Sequence, residues 1–261
     1  MVLQKFLSII GAYKVYEKWL WFQVKNGIKP EHIAIILDGN RRWANEQEIN
    51  PWLGHQQGAE TVEKLLDWTQ MLGVKFVTLY TFSTENFKRP ASEIGEIMRI
   101  AELKFQKLLV DERIHQNRVH VKVIGRVNLL PESLQKLIAE VEKATADYDN
   151  QFLNFAFAYG GRAEIVDAAK TIAEKVKNGE LKVEDVDEET FEKYLYTSHM
   201  PKQDPDMIIR TSGEERLSGF LLWQSAYSEL LFLDVYWPDF RFIDLLRAFR
   251  TFERRKRRFG S

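Results

Sequence analysis

Short runs of β-branched and aromatic residues alternate with longer helical stretches along most of this chain. The run IAIIL (33–37) is apolar throughout, as expected of a strand buried on both faces of a sheet. Strands are predicted at Ile33–Leu37, Phe76–Phe82, Val119–Ile124, Phe152–Ala158, Met207–Ile209 and Leu230–Val235, and helices at Gly54–Leu72, Ala91–Ile114, Glu132–Tyr148, Ala163–Lys177, Glu188–Tyr194 and Phe240–Lys256. This alternation predicts a single α/β domain with a mostly parallel six-stranded sheet flanked by helices.

An amphipathic helix is predicted before the first strand, within residues 1–27, and the main domain is assigned to 28–261. Lysines are interspersed among apolar residues at helical spacing, namely Phe6, Ile10, Tyr13, Leu20 and Val24. Two interpretations fit this pattern: a helix docked on the protein's own surface, or a helix lying on a membrane surface. No apolar run reaches the roughly 18 residues that a membrane span requires.

Polar clusters follow five of the six predicted strands. They read DGNRR (38–42), STENFKR (83–89), GR (125–126), YGGR (159–162) and RTSGEERLS (210–218). In open parallel sheets, ligands bind beyond the carboxyl ends of the strands, where loops lead into helices. We therefore expect all five clusters along one edge of the sheet.

Asp38 directly follows the first strand. A carboxylate in a part-buried position is costly unless it meets a cation, which a bound divalent ion would supply. Gly39 lets the backbone approach an anion closely, the amides of a following helix favour phosphate, and Arg42 offers a bidentate fork. The same spacing also fits an Asp38 that only caps a helix, so this segment alone leaves both interpretations open.

The segment FSTENFKRP follows the second strand. Ser83 and Glu85 are ordinary residues at a turn or helix start. Arg89 is more informative, because it adds a cation to the strand edge that already holds Asp38 and Arg42. This edge therefore offers cations, carboxylates and the amide of Asn86.

The segment IIRTSGEERLS places Arg210 at a strand end, with Arg216 and Ser218 shortly after it. Two guanidinium groups and a hydroxyl can surround a diphosphate, so the pattern is typical of a second phosphate site. A solvated surface loop is the alternative. The sequence thus predicts up to two arginine-bearing anion sites and one carboxylate for a metal.

The composition narrows the function classes. The formal net charge is −1 at pH 7, so an anion site must be built from local arginine clusters. The chain has no cysteine, which excludes disulfides and thiol catalysis and is typical of a reducing, cytoplasmic location. The sequence also lacks the P-loop, the Gly-x-Gly-x-x-Gly fingerprint and Gly-x-Ser-x-Gly, and its histidines show no metal-ligand spacing.

Seven ordered motifs resemble those of the cis-prenyltransferase family, the undecaprenyl and dehydrodolichyl diphosphate synthases. They are ILDGNRRWA, GHQQGAE, YTFSTENFKRP, FAYGGR, IIRTSGEERLSGFLLWQSAYSELLF, WPDF and RRFG. The resemblance runs from about Pro30 to Gly260, and DGNRR and RTSGE are closer to archaeal and eukaryotic members. It implies a homodimer in which sheet and helices enclose a hydrophobic tunnel. The tunnel is expected to be lined by the Ile97, Ala101, Phe105 and Leu108 face of the predicted 91–114 helix, although the same stripe also fits an ordinary core face.

The resemblance also implies the reaction. Members condense isopentenyl diphosphate repeatedly, with Mg²⁺ and cis geometry, onto an allylic diphosphate primer. The product is a long-chain polyprenyl diphosphate, a precursor of glycosyl-carrier lipids. Geranylgeranyl and farnesyl diphosphate both remain open as the primer.

The resemblance also implies roles for the residues of this chain that match the family's motifs. Asp38, Asn40 and Asn86 match residues at the reacting centre, and Asp38 and Glu229 match the metal-site acids. The allylic diphosphate site is matched by Gly39, Arg41, Arg42, Trp43, His55, Ser83, Glu85, Phe87 and Arg89. The isopentenyl diphosphate site is matched by Arg210, Arg216 and Ser218, together with Arg258 and Gly260 of a terminal Arg-x-Gly motif that reaches into the partner subunit.

The chain departs from the bacterial pattern at two positions. Pro51 stands where bacterial members commonly have an arginine, and Arg41 stands where they tend to have glycine. One cation of the allylic site is therefore missing or replaced, with Arg41 and His55 as the candidates.

Two other functions fit parts of the sequence. A non-catalytic partner subunit would share the fold, but such subunits tend to lose the metal aspartate and the isopentenyl-site arginines that this chain has. The basic run Arg254–Arg258 resembles a nucleic-acid patch, but the near-neutral net charge argues against it, and we expect no nucleic-acid partner.

Overall fold

Six parallel strands form the centre of the computed structural model, which describes residues 12–255. The strands are β1 (His32–Ile36), β2 (Phe76–Ser83), β3 (Val119–Ile124), β4 (Gln151–Tyr159), β5 (Met207–Arg210) and β6 (Glu229–Phe232). Their order in the sheet is β3-β4-β2-β1-β5-β6, and every neighbouring pair is parallel. The predicted sheet is confirmed, and the strand ends differ from the predicted ones by a few residues at most.

Nine α-helices within residues 12–255 surround this sheet. They are α1 (Ala12–Asn26), α2 (Asn40–Glu46), α3 (Pro51–Leu72), α4 (Ala91–Val110), α5 (Glu112–Gln116), α6 (Glu132–Ala144), α7 (Gly161–Lys177), α8 (Glu188–Glu192) and α9 (Phe242–Arg254). The short α2 was not predicted, because its seven residues are too few to show an apolar period.

The predicted helix 91–114 is wrong in one respect, since it breaks at Asp111. This residue is extended, with φ −75° and ψ 108°, and its side chain accepts a hydrogen bond from the backbone N–H of Arg113. Asp111 is therefore the N-cap of α5. A capping aspartate inside a continuous apolar period is easily taken for an exposed helical position.

The strands are apolar because helices cover both faces of the sheet. All five residues of β1 and all nine of β4 are buried. Arg210 pairs with Ile36, and Tyr80 pairs with Ile36 from the other side. Residues that follow β1, β2, β4 and β5 therefore emerge at one edge of the sheet, which we call the polar edge.

Helix α1 packs on α9 through one face. Leu20 and Val24 are buried, and the rings of Trp21 and Phe242 lie 5.7 Å apart. Val15 and Phe22 lie on another face and are each 69% exposed. The residues before Ala12 that were predicted to continue this helix lie outside the described residues. Among residues 12–255, no helix combines the length and apolarity that a membrane crossing needs.

An apolar cavity of about 140 Å³ lies between α3, α4 and the sheet. Its walls include all four residues of the predicted tunnel stripe on α4, Ile97, Ala101, Phe105 and Leu108. Across from them, α3 contributes Val62 and Leu66, and β4 contributes Phe155. The cavity begins at Asn40 and His55, so the fold connects an apolar space directly to the polar edge.

Candidate active site

Asp38 lies at the polar edge where β1 ends. Its backbone N–H donates to Thr211 Oγ1 at 3.0 Å, and the Thr211 hydroxyl donates to the Asp38 carbonyl at 2.7 Å, which joins the ends of β1 and β5. Gly39 has φ 105°, and a Cβ there would lie 2.6 Å from Tyr236 Cδ1. Only glycine fits this turn without strain.

Asp38 is not the cap of α2. The N-cap residue is Gly39, and no side chain caps this helix. Asp38 Oδ1 instead accepts the Gly39 N–H at 2.7 Å. The side chain is 29% exposed, which leaves the carboxylate accessible from the polar edge.

Two arginines neutralise Asp38. Arg210 Nη2 lies 2.7 Å from Oδ2, and Arg42 Nη2 lies 3.4 Å from Oδ1. Burial alone would raise the pKa of Asp38, but hydrogen bonds from Arg210 and Ser212 and the charges of both arginines hold it below its ordinary value. Asp38 is therefore ionised at neutral pH. We call Asp38, Arg42 and Arg210 the Asp38 cluster.

The 211–222 loop is organised around Arg210, which is 4% exposed. Arg210 Nη1 donates to Ser218 Oγ at 2.8 Å and to the carbonyl of Arg216. Arg210 Nε is buried and has no hydrogen-bond partner among the described residues. Ser218 has a φ of 49°, a strained value for a non-glycine residue.

The side chain of Arg216 pairs with a carboxylate rather than lining a cavity with Arg210. It is 63% exposed and pairs with Glu214, whose other oxygen lies 3.1 Å from Arg42 Nη1. Sequence reasoning missed Glu214, because an acidic residue in a polar loop carries no spacing signal. The structure thus brings Arg210 and Ser218 together and links Arg216 to Arg42 through a carboxylate.

A second cluster, the Glu93 cluster, consists of Glu93, Arg41, His55 and Arg89. Glu93 Oε1 lies 3.0 Å from Arg89 Nη1, 3.2 Å from His55 Nε2 and 3.7 Å from Arg41 Nε. The side chain of Glu93 is only 11% exposed. Sequence reasoning also missed this residue, although its i,i+4 spacing from Arg89 was a usable signal. Both candidates for the replaced cation, Arg41 and His55, meet at this carboxylate.

The segment after β2 forms a single 3₁₀ turn, Thr84–Lys88. Ser83 and Asn86 form a capping box, in which Asn86 Oδ1 accepts the Ser83 N–H at 3.0 Å. The ring of Phe87 packs edge-on against Phe82 at 4.9 Å. These local bonds fix the turn, and Ser83, Glu85 and Asn86 still face a shared cavity with Arg89 and Arg210.

Two polar cavities flank Asp38. The first has a volume of about 420 Å³, and its walls comprise Leu37, Asp38, Gly39, Asn40, Arg41, Arg42, Asn45, His55 and Arg89. The second has about 470 Å³, and its walls include Asp38, Ser83, Glu85, Asn86, Arg89, Arg210 and Ser218. Trp43 and Phe87 are not in the described walls of either cavity.

Leu37, Asn40 and His55 line both polar cavities and the apolar cavity. Asn40 Oδ1 is buried and has no hydrogen-bond partner among the described residues, whereas its amide donates to the Leu37 carbonyl at 3.2 Å. The arrangement can hold two anionic groups on either side of Asp38 and an apolar tail between α3 and α4.

Glu229 lies apart from these cavities within one chain. It begins β6 opposite Met207, three residues before Arg210, which corresponds to roughly 10 Å along the strand. Its Oε2 lies 2.8 Å from Arg255 Nη1. Its metal role stays a prediction, and Arg258 and Gly260 lie outside the described residues.

The described residues of this site offer Mg²⁺ only a few protein ligands. Within residues 12–255, no three acidic, histidine or cysteine side chains are grouped to hold a metal ion. Mg²⁺ commonly keeps several waters and binds one or two carboxylates together with substrate phosphates. An accessible, ionised Asp38 that lines both polar cavities meets this requirement for a magnesium ion shared with a diphosphate.

Residues 36–260 match the protein-family model described as putative undecaprenyl diphosphate synthase. Two archaeal relatives are named tritrans,polycis-undecaprenyl-diphosphate synthase (geranylgeranyl-diphosphate specific). The Pyrococcus horikoshii relative is 53% identical over 249 residues, covering 95% of this chain and 94% of the relative. The Methanocaldococcus jannaschii relative is 52% identical over 257 residues, covering 98% and 92%.

Two solved structures share the fold. Lavandulyl diphosphate synthase from Lavandula x intermedia, in complex with dimethylallyl diphosphate, has a TM-score of 0.86 at 37% identity, covering 89% of this chain and 99% of that chain. A probable undecaprenyl diphosphate synthase from Campylobacter jejuni has a TM-score of 0.72 at 31% identity, covering 90% and 100%. This chain therefore belongs to the undecaprenyl diphosphate synthase family, the cis-prenyltransferases, and is a prenyltransferase.

The Glu93 cluster predicts how His55 titrates. Burial lowers the pKa of His55, the hydrogen bond and charge of Glu93 oppose this, and the charges of Arg89 and Arg41 reinforce it. We expect Glu93→Gln to lower the pKa of His55 further. The variant removes the negative charge that raises this pKa and keeps the burial and the two arginines that lower it. Titration of the histidine ring protons by NMR measures it. Glu85→Gln, at another carboxylate of the polar edge, is the control, and an unchanged or raised His55 pKa in Glu93→Gln would contradict the assignment.

Proposed function

We propose that this prenyltransferase condenses isopentenyl diphosphate repeatedly with geranylgeranyl diphosphate, in the presence of Mg²⁺, to a long-chain polyprenyl diphosphate that serves as a carrier-lipid precursor. The main support is the position of Asp38 between two arginine-lined cavities that share wall residues with one apolar cavity. The names of the archaeal relatives favour geranylgeranyl over farnesyl diphosphate as the primer.

We assign one substrate to each of the two polar cavities. We assign the allylic diphosphate to the first cavity, where Arg41, Arg42 and Arg89 supply guanidinium groups. We assign isopentenyl diphosphate to the second, where Arg210 and Ser218 are adjacent. The apolar tail of the primer then extends past His55 into the space between α3 and α4.

The chain's own residues act mainly on the leaving diphosphate. Asp38 would hold Mg²⁺, and the ion would supply positive charge to neutralise the diphosphate as it leaves. The guanidinium of Arg42 is a second cation near the leaving diphosphate. It stabilises the transition state more than the ground state, because the negative charge on the diphosphate is larger in the transition state. Arg210 keeps Asp38 ionised and oriented, and Asn40 holds a free amide oxygen where the three cavities meet.

The activity assay follows incorporation of labelled isopentenyl diphosphate with geranylgeranyl or farnesyl primer and Mg²⁺. We expect product from geranylgeranyl diphosphate with the wild-type chain alone. A lost charge-assisted hydrogen bond corresponds to roughly 1.5–3 kcal/mol, which is about tenfold to a hundredfold in rate. Ser218→Ala removes a hydroxyl that lines the second cavity beside Arg210 and should therefore raise the KM for isopentenyl diphosphate by about tenfold, and Asp38→Asn should lower kcat by more than about a hundredfold.

Arg99→Gln is the matched control, because Arg99 is exposed on α4 and pairs with Glu96 on the same helix. Its kinetics should equal those of the wild type. Absence of product with either primer would refute the proposed function, and turnover without a second protein excludes the role of a non-catalytic partner.

We propose a homodimer that uses β6. This strand lies at the end of the sheet and pairs with β5 alone within the described residues, so it offers an edge to a second copy, where Arg255 Nη1 now binds the Leu230 carbonyl at 2.9 Å. Phe232→Lys should convert a dimer to a monomer in light scattering, because a charge at the edge opposes strand association. Leu129→Lys, at an exposed apolar residue beyond the opposite edge strand β3, is the control. A monomeric wild type would contradict this proposal.

We also propose that this cytoplasmic enzyme contacts membranes through α1. Val15, Trp19 and Phe22 are exposed at i, i+4 and i+7 spacing, and the exposed lysines Lys14, Lys18 and Lys25 flank them. Such a face suits an anionic bilayer surface. Another face of α1 packs on α9 through Leu20, Trp21 and Val24, which supports the interpretation of a helix docked on the protein's own surface for that face.

Sedimentation with vesicles that contain anionic lipid tests this contact. Val15→Ser combined with Phe22→Ser should weaken binding by at least about tenfold, since each side chain loses on the order of 1.5 kcal/mol or more of apolar burial. Val166→Ser combined with Val183→Ser changes exposed apolar residues elsewhere and should leave binding unchanged. Equal binding by both double variants would rule out α1 as the contact.

A further inference from the structure

Two adjacent glycines, Gly160 and Gly161, link β4 to α7 at the polar edge, and we call them the glycine pair. Gly160 is the N-cap residue of α7, and Gly161 is the first residue of this helix. Gly160 is extended, with φ −157° and ψ 122°, and Gly161 is not among the described glycines with a positive φ. A residue with a side chain could adopt both backbone conformations. Backbone freedom therefore does not explain glycine at these two positions.

Gly161 packs directly on the 211–222 loop. Its N–H donates to the Gly219 carbonyl at 2.8 Å, which satisfies one of the amides that have no partner within the first turn of a helix. A Cβ on Gly161 would lie 2.6 Å from the same carbonyl oxygen and 2.8 Å from Leu222 Cγ. Both distances are shorter than van der Waals contact, so a side chain here would displace the loop.

The same loop carries strained backbone at and near Ser218. The φ angle is 49° at Ser218 and 43° at Leu221, and such conformations persist in residues with side chains only where the surroundings impose them. The Tyr80 hydroxyl donates to the Ser218 carbonyl at 3.3 Å, and the rings of Tyr80 and Phe220 stack with centroids 4.7 Å apart. The glycine pair adds the hydrogen bond to the residue between these two. Three consecutive loop residues are therefore held from outside the loop.

Gly160 packs on a different segment, the turn after β2. A Cβ on Gly160 would lie 2.8 Å from Thr84 Oγ1. Thr84 begins this turn, and its neighbours Ser83, Glu85 and Asn86 line the second polar cavity. The two glycines thus contact two different walls of one cavity, the turn after β2 and the loop after β5.

We propose that the glycine pair fixes the position of both walls of the second polar cavity and so determines the affinity for isopentenyl diphosphate. This inference rests on the proposed function, which assigns isopentenyl diphosphate to that cavity. Neither glycine belongs to the described walls of the three cavities, so the pair acts through its neighbours, as positioning residues. Hydrogen bonds to a diphosphate weaken steeply when distances and angles leave their optimum, so a displaced wall binds the substrate less tightly.

The test is the KM for each substrate, measured by incorporation of labelled isopentenyl diphosphate with one substrate varied at a time. In Gly161→Ala we expect the KM for isopentenyl diphosphate to rise by about tenfold, the effect of one lost charge-assisted hydrogen bond, and the KM for geranylgeranyl diphosphate to change by less than about twofold. Alanine is a better helix former than glycine, so α7 itself does not oppose the substitution.

A second substitution tests the steric cause at Gly160. Gly160→Ala places a methyl group too close to one side-chain atom, the Thr84 hydroxyl oxygen, and should raise the KM for isopentenyl diphosphate by about threefold or more. Adding Thr84→Ala removes that oxygen and should return the KM to within about twofold of the wild type. Thr84→Ala alone should have little effect, because Thr84 is not in the described wall of the cavity. A general loss of packing would not be reversed by a second truncation.

Gly95→Ala is the matched control. Gly95 lies within α4, and no described atom lies within 4 Å of the position that its Cβ would occupy. The same change there should leave both KM values at the wild-type level. Urea midpoints show whether each variant is folded, and the Gly160 and Thr84 variants keep the test valid if Gly161→Ala does not fold.

A wild-type KM for isopentenyl diphosphate in both glycine variants, while the wild type makes product, overturns this inference and leaves the proposed function standing. Equal rises in both KM values, or a rise in Gly160→Ala that Thr84→Ala does not reverse, also overturn it. Absence of product from the wild type overturns the proposed function itself. A rise confined to isopentenyl diphosphate and reversed by Thr84→Ala supports the glycine pair as positioning residues.

Discussion

The ion pair between Asp38 and Arg210 organises the polar edge. Arg210 is the last residue of β5, Asp38 follows β1, and their side chains meet at 2.7 Å with the arginine nearly fully buried. Removing one partner of such a pair leaves an uncompensated buried charge, which is far more costly than losing an exposed pair. The same guanidinium binds Ser218, so Arg210 both holds the Asp38 carboxylate and orders the loop of the second polar cavity.

The sequence allowed the sheet to be predicted well, because buried parallel strands are continuous apolar runs that are easily recognised between helices. The polar edge could also be predicted, since residues that follow parallel strands emerge together. What the sequence did not reveal was which charges meet. Asp38 had both a helix cap and a metal site as candidate roles, whereas in the structure Gly39 is the N-cap of α2 and Arg210 pairs with Asp38.

The missed residues share a physical reason. Glu93 and Glu214 are acidic residues in a site expected to bind anions, and each pairs with arginines that the sequence placed at this edge. Sequence patterns rank residues by the ligand they would bind, whereas the folded chain must also balance the charges that it brings together. The helix break at Asp111 was missed for a similar reason, since a local hydrogen bond overrode a continuing apolar period.

The pairing of arginines with carboxylates has a consequence for how substrates enter. Asp38, Glu93 and Glu214 together balance much of the positive charge of Arg41, Arg42, Arg89, Arg210 and Arg216. A diphosphate that enters this site therefore exchanges partners with carboxylates rather than meeting free cations. Little net charge is displayed to the solvent, so few counterions have to be released, and substrate affinity should depend less on ionic strength than the number of arginines suggests.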